Sequence, residues 1–158
     1  MGSYRASRNY ETSTKDFLTT QINANFTGVN VYRGFGEVSG NSLPCVTVKR
    51  GLITHGRVEL GSFSTRREVL LLIDVFANSE GQLLDLTDYI VSQLKKSWDY
   101  NTYTVTNGVS SSTTTGKINC ISLTDTILNL GMNKSDLDKV DRYRSLISIS
   151  VSNGKVEV

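Results

Sequence analysis

The sequence predicts an α+β domain, a mainly antiparallel sheet of about five strands with two helices packed on one face, plus a hairpin or loop excursion. Three observations predict it. Two stretches carry a 3.6-residue apolar period, and about five others alternate apolar with polar residues. A chain of 158 residues with 38% hydrophobic side chains can fill one core and hardly two. Finally, 19 serines, 17 threonines, 12 asparagines and 13 glycines against a single proline, Pro44, favour strands joined by Gly/Asn turns.

Residues 1–12 hold Tyr4, Arg5, Arg8 and Tyr10 on a polar background, too few apolar groups for a core element. They read as an N-terminal arm, either disordered or anchored onto a neighbour through its Tyr and Arg side chains. The single domain then spans residues 13–152. Ser13 and Asp16 resemble a helix start, and Phe17/Leu18, Ile22 and Phe26 recur near the helical period, so a first helix is expected from Thr14 to Asn25. Val29, Val31 and Phe35 alternate with Asn30 and Arg33 as a first strand, followed by the glycine cluster Gly34, Gly36, Gly40. Val46 and Val48 against Thr47 and Lys49 make a second strand with Pro44 near its start, where a missing donor is tolerated. Gly51 and Gly56 are expected to bracket a turn, and Arg57 to Phe63 alternates weakly.

Arg67 to Ala77 is the strongest strand. Val69, Leu71, Ile73 and Val75 are all apolar while Glu68, Leu70, Leu72, Asp74 and Phe76 are mixed, as in a central strand buried on one face and half buried on the other. Ser79 with Gln82 forms a capping box, and Leu83, Leu86, Ile90 and Leu94 continue it as a second helix, with Asp85 and Asp88 early and Lys95 and Lys96 late to suit the helix dipole. That period is lost in 97–116, which holds Trp98, Tyr100, Tyr103, Asn107-Gly108 and a Ser/Thr tract, and reads as a β-hairpin or an extended loop. Lys117 to Leu130 is an extended strand with an irregularity near Thr124-Asp125, and Arg142 to Ser152 alternates almost ideally, with one wet face. Asn153-Gly154 supplies hairpin-turn chemistry before a short tail, 153–158.

Several function classes find no support. The net charge of +2 gives no global attraction for nucleic acid or anionic membrane. The longest apolar run, Val69 to Ile73, is far too short for a membrane helix, and the N-terminus has no apolar signal core. A protein made and used in a reducing cytoplasm is the expectation. Gly34 to Gly40 spaces its glycines as GxGxxxG, unlike a dinucleotide fingerprint. His55 has no second histidine to share a metal or relay a proton, and it reads as a surface residue in a turn. Cys45 and Cys120 fall in strands as small apolar fillers with no activating base beside them. Asp136, Asp138 and Asp141 lack the glycine and closing glutamate of a calcium loop and read as a solvated connection. No catalytic, cofactor-binding or metal site is expected, and no enzyme activity.

Charge is unevenly spread. Residues 1–67 carry nine basic and four acidic groups, the remainder eight basic and eleven acidic. Such a chain suits head-to-tail stacking on copies of itself, the geometry that closes rings. Tyr4, Arg5, Arg8, Tyr10, Arg50, Arg57, Arg66, Arg67, Tyr100 and Tyr103 are the candidate assembly-interface residues. A small nucleic-acid-binding domain using Arg50, Arg57, Arg66 and Arg67 is a weaker reading.

The capped helix from Ser13, the three strands ending in Arg67 to Ala77, the helix opening Ser79-Glu80-Gly81-Gln82-Leu83-Leu84-Asp85-Leu86, and the last strand Tyr143-Arg144-Ser145-Leu146-Ile147-Ser148-Ile149 follow a recognisable order. Over residues 13–152 this resembles the tail terminator, or tail completion, proteins of long-tailed bacteriophages. The resemblance implies a structural virion protein of the neck, assembled in the host cytoplasm. It would form a hexameric ring on the last ring of the tail tube, end tube polymerisation and offer the docking surface for the head. Its implied partners are sister copies, the tail tube protein, head–tail connector proteins and duplex DNA passing without sequence recognition, with no membrane and no cofactor. Another head–tail connector or baseplate subunit is the allied alternative.

Overall fold

The computed structural model describes residues 5–34, 43–129, 133, 135, 137, 138 and 141–157. The elements run in the order α1 (Ala6–Asn25), β1 (Asn30–Arg33), β2 (Cys45–Arg57), β3 (Thr65–Phe76), α2 (Glu80–Leu94), β4 (Trp98–Thr106), β5 (Val109–Ile127), β6 (Arg144–Ser152) and β7 (Val156–Glu157). Among the described residues the sheet has seven strands in the order β1-β2-β3-β6-β5-β4, with β7 paired to the start of β3. Only β1 and β2 pair in parallel, so the fold is the α+β class expected, mostly antiparallel, with two helices.

The core lies between the sheet and both helices. Val46 and Val48 of β2, Val69, Leu71, Ile73 and Val75 of β3, and Ile147, Ile149 and Val151 of β6 point to one side. There they meet Leu18 and Ile22 of α1 and Leu83, Leu86, Ile90 and Leu94 of α2. β3 is central, as its apolar run requires. Its other face carries half-buried Leu70 and Leu72, then Asp74 and Phe76. α2 starts where its capping box places it. The Gln82 N–H donates to Ser79 Oγ at 3.2 Å, and the Asn78 N–H donates to Gln82 Oε1 at 2.8 Å. A buried Thr87–Ser145 hydroxyl pair, 2.7 Å apart, fastens α2 to β6.

The sheet curls until its last strand meets the first helix. α1 packs against β1 and β2 on one side and against β4 on the other. Its polar side chains seal the free edge of β4. Ser13 Oγ accepts the Asn101 N–H at 2.9 Å and donates to the Asn101 carbonyl at 3.3 Å, and Asn9 Oδ1 accepts the Tyr103 N–H at 3.4 Å. Trp98 Nε1 donates to Thr14 Oγ1 at 3.2 Å, and the Trp98 ring stacks on Phe17 with centroids 5.2 Å apart. On the opposite flank Glu11 bridges the other strands, accepting from Arg33 at 3.1 Å and from the Arg50 N–H at 2.7 Å.

This arrangement corrects several expectations. α1 begins at Ala6, so residues 6–12 are helix and not an arm. Apolar content misled there because this part of the helix is buried by hydrogen bonding. Asn9, Ser13 and Thr14 are inaccessible to solvent, and Tyr10 packs edge-on against Tyr100 at 5.1 Å while its phenolic oxygen accepts the Asn153 N–H. Gly51 and Gly56 bracket no turn. They lie inside β2, which runs on to Arg57 past an irregularity between Arg50 and Ile53. His55 is therefore an exposed strand residue. The excursion is a hairpin, β4 with the first half of β5, turning at Asn107 and Gly108, both at positive φ as a type I′ turn demands. Gly154, at φ +71°, also turns the chain, but β7 pairs with β3 and not back onto β6. Phe35, Gly36, Gly40 and Asp136 lie outside the described residues.

Candidate assembly surfaces

The surfaces follow from the strand register. β3 and β5 both pair antiparallel with β6, so they run in the same direction. Val69 and Cys120 stand level with Val151. Chain preceding either residue therefore leaves the sheet by the same end. On β3 this gives the β2–β3 hairpin, and on β5 it gives the β4–β5 ribbon, where Val109 stands ten residues, roughly 33 Å of extended strand, beyond Asn119.

The β2–β3 hairpin ends in a knob that no core explains. Leu60 is fully exposed and Phe63 is 85% exposed. Arg57 closes the loop by donating to the Ser62 carbonyl at 3.2 Å, and Arg66 stands exposed beside Gly56. The knob is thus apolar, flanked by two cations, and carries one exposed carboxylate, Glu59, beside Leu60. The ribbon differs: Thr102–Thr115, Thr104–Ser111 and Thr114–Asn101 side-chain hydrogen bonds staple its two strands, and Val105 and Val109 are its exposed apolar groups.

The helix-free face of the sheet is the third surface. Rows Thr47–Asp74–Leu146–Thr126, Lys49–Leu72–Ser148–Thr124 and Leu70–Ser150–Ser122 cross it. Hydroxyls dominate, and its buried charge is paired, since Arg144 donates twice to Asp74 Oδ1 at 3.0 and 3.1 Å. Cys45 sits at one end of this face with Phe76, its thiol pushed up to about 11 by burial. Cys120 is on the opposite, helix-covered face, level with Val151 and packed against the main core, and its thiol is also raised by burial. Neither is an activated nucleophile.

A fourth surface is a cleft of about 280 Å³ between α1 and β4, lined by Ser13, Asp16, Phe17, Thr20, Gln21, Asp99 and Asn101. Asp16 accepts the Tyr103 hydroxyl at 2.6 Å, and Asp99 pairs with Lys117. The Tyr103 phenol is held above its ordinary value by burial and by the Asp16 carboxylate. The sequence marks Ser13, Asp16 and Phe17 only as residues of a helix start, and the cleft escapes it because Asp99 and Asn101 complete the lining from a distant strand; the helical spacing of Ser13, Asp16, Phe17, Thr20 and Gln21 is the available signal.

The ten sequence-derived interface residues separate. Arg57 and Arg66 share the exposed β2–β3 hairpin, Arg50 is exposed on β2 level with Leu71 in the body of the sheet, and Arg8 is exposed on α1. Arg67 is buried and paired with Glu157 at 3.1 Å, so it serves the fold. Tyr10 and Tyr100 are core residues, Tyr103 is half buried, Arg5 is half buried at the start of α1, and Tyr4 lies outside the described residues. Among the described residues, no three His, Cys, Asp or Glu side chains converge as metal ligands, and no helix is long and apolar enough to cross a membrane. Compared with protein-family models and with curated proteins, the chain gives no match.

Proposed function

We propose that this chain is a structural subunit of a phage virion that forms a hexameric ring at the head-proximal end of a tail. It ends tube polymerisation there and presents the surface on which the head docks, without catalysing a reaction. The observation that carries this reading is the pair of hairpins leaving the same end of a sheet whose helix-covered body is complete without them. Exposed apolar side chains on such projections need a partner surface. The tail tube protein and the connector proteins above are those partners, and the virion neck is the site of action.

The hydroxyl-rich face of β5 and β6 supports a lumen role. Ser122, Thr124, Thr126, Ser148 and Ser150 offer hydrogen bonds without the phosphate attraction that would arrest sliding DNA. Electron microscopy with mass measurement, on the purified protein with and without tail tubes, tests the reading. Rings capping tube ends are the expected result; a lone globule absent from viral particles overturns it. Another connector or baseplate layer is the allied alternative, separated by where labelled protein sits in the particle.

The exposed Arg50, Arg57 and Arg66 favour a second reading, a small nucleic-acid-binding domain. Duplex affinity of the single copy that falls steeply with salt would select it.

A further inference from the structure

We infer that the β2–β3 hairpin of one copy seats in the α1–β4 cleft of the next, placing its arginines against Asp16 and Asp99. The inference rests on the ring reading and gives that ring its contact. Two complementary surfaces stand on one chain. The donor is the knob of Leu60 and Phe63 flanked by Arg57 and Arg66, all exposed. The acceptor is concave, has the Phe17 ring in its lining and carries the exposed carboxylates of Asp16 and Asp99. One face of that ring is stacked on Trp98, and an aromatic ring lining a cleft that also carries two carboxylates suits a guanidinium. The charges that border the cleft do not defeat this. Lys117 holds one Asp99 oxygen and the Tyr103 hydroxyl one Asp16 oxygen, and each carboxylate has a second oxygen to offer.

Because donor and acceptor are different patches, the contact is heterologous, and repeating it produces a closed ring or an open chain of subunits. Burying Leu60 and Phe63 removes the two most exposed large apolar side chains among the described residues from water. Charge opposition fixes which surface they meet.

The test pairs trapping with charge exchange. In a Cys120→Ser background, Phe63→Cys combined with Thr20→Cys is oxidised gently, and the products are separated by mass and mapped by peptide. In parallel, Arg57→Glu/Arg66→Glu and Asp99→Arg are made singly and together, with unfolding midpoints measured for each. An intermolecular link between the two introduced thiols is expected, with about tenfold weaker association in each charge variant and recovery when they are combined. Rings that form without that link overturn the docking and leave the ring reading standing. Linked chains that never close on tube ends keep the docking and overturn the ring reading. Single copies throughout, without a link, overturn both. Unchanged association, with salt-dependent duplex binding lost in Arg57→Glu/Arg66→Glu, overturns the docking and assigns the hairpin to nucleic acid.

Discussion

The helix-covered body of the sheet and the end that bears the hairpins are made of the same strands and differ in what holds them. In the body, β3 and β6 alternate so that every core-facing side chain from Val69 to Val75 and from Ser145 to Val151 is buried under α1 and α2. At the hairpin end, the same β3 continues outward into Thr65 and Arg66, and β5 into a tract of hydroxyls, with every side chain of the ribbon tip exposed among the described residues. An isolated two-stranded ribbon is marginally stable in water. Fold stability and surface for partners therefore sit in different parts of one sheet, and substitutions should sort accordingly.

The contrast is broken most directly in the core. Leu71→Ala removes a fully buried side chain from the centre of β3 and should cost about 2–5 kcal/mol in urea unfolding; a loss under about 1 kcal/mol would show the body is not the stabilising half. Ser13→Ala leaves the β4 edge with an unmatched Asn101 N–H, and about 1–3 kcal/mol should go. Hydrogen exchange at Asn101 should speed up in that variant, and an unchanged rate would mean α1 does not seal the strand.

Alkaline pH sharpens the same boundary. Burial pushes the Tyr10 phenol up to about 12 from an unfolded value near 10. The unfolded chain then loses its proton first, so this contribution is fully present below about pH 10 and is lost as pH rises toward 12. Tyr10→Phe should flatten the fall of stability between those values, and a curve identical to the parent's would remove Tyr10 as its cause. Smallest of all, Leu60→Ser with Phe63→Ser should change stability by only about 0.5 kcal/mol while weakening association of copies. A large drop in the unfolding midpoint would place the knob in the fold.

Legibility in the sequence follows the same division. α2 was readable from Ser79 and Gln82, β3 from its apolar run and β6 from strict alternation, because there hydrophobic burial and local propensity agree. The first two turns of α1 were not readable, since Asn9, Ser13 and Tyr10 are buried by long-range partners on β4 and after β6 that no local window contains. Gly51 and Gly56 misled for the opposite reason. Their local turn signal was overridden by pairing with β3 over the length of β2. Of the interface residues, the hairpin arginines Arg57 and Arg66 were found by charge alone, whereas Leu60 and Phe63 between them fell in a weakly alternating stretch that the structure shows as the turn of the hairpin.

The way α1 meets β4 has one more consequence. A hydroxyl and a carboxamide occupy the places where another strand's carbonyls would sit, so backbone recruitment at Asn101 and Tyr103 is foreclosed before any second molecule arrives. Past Tyr103 that hem ends, and Thr104 to Thr106 regain the open ladder of an unguarded margin. Along the β4 margin, growth by strand addition is thereby confined to the outermost stretch of the ribbon.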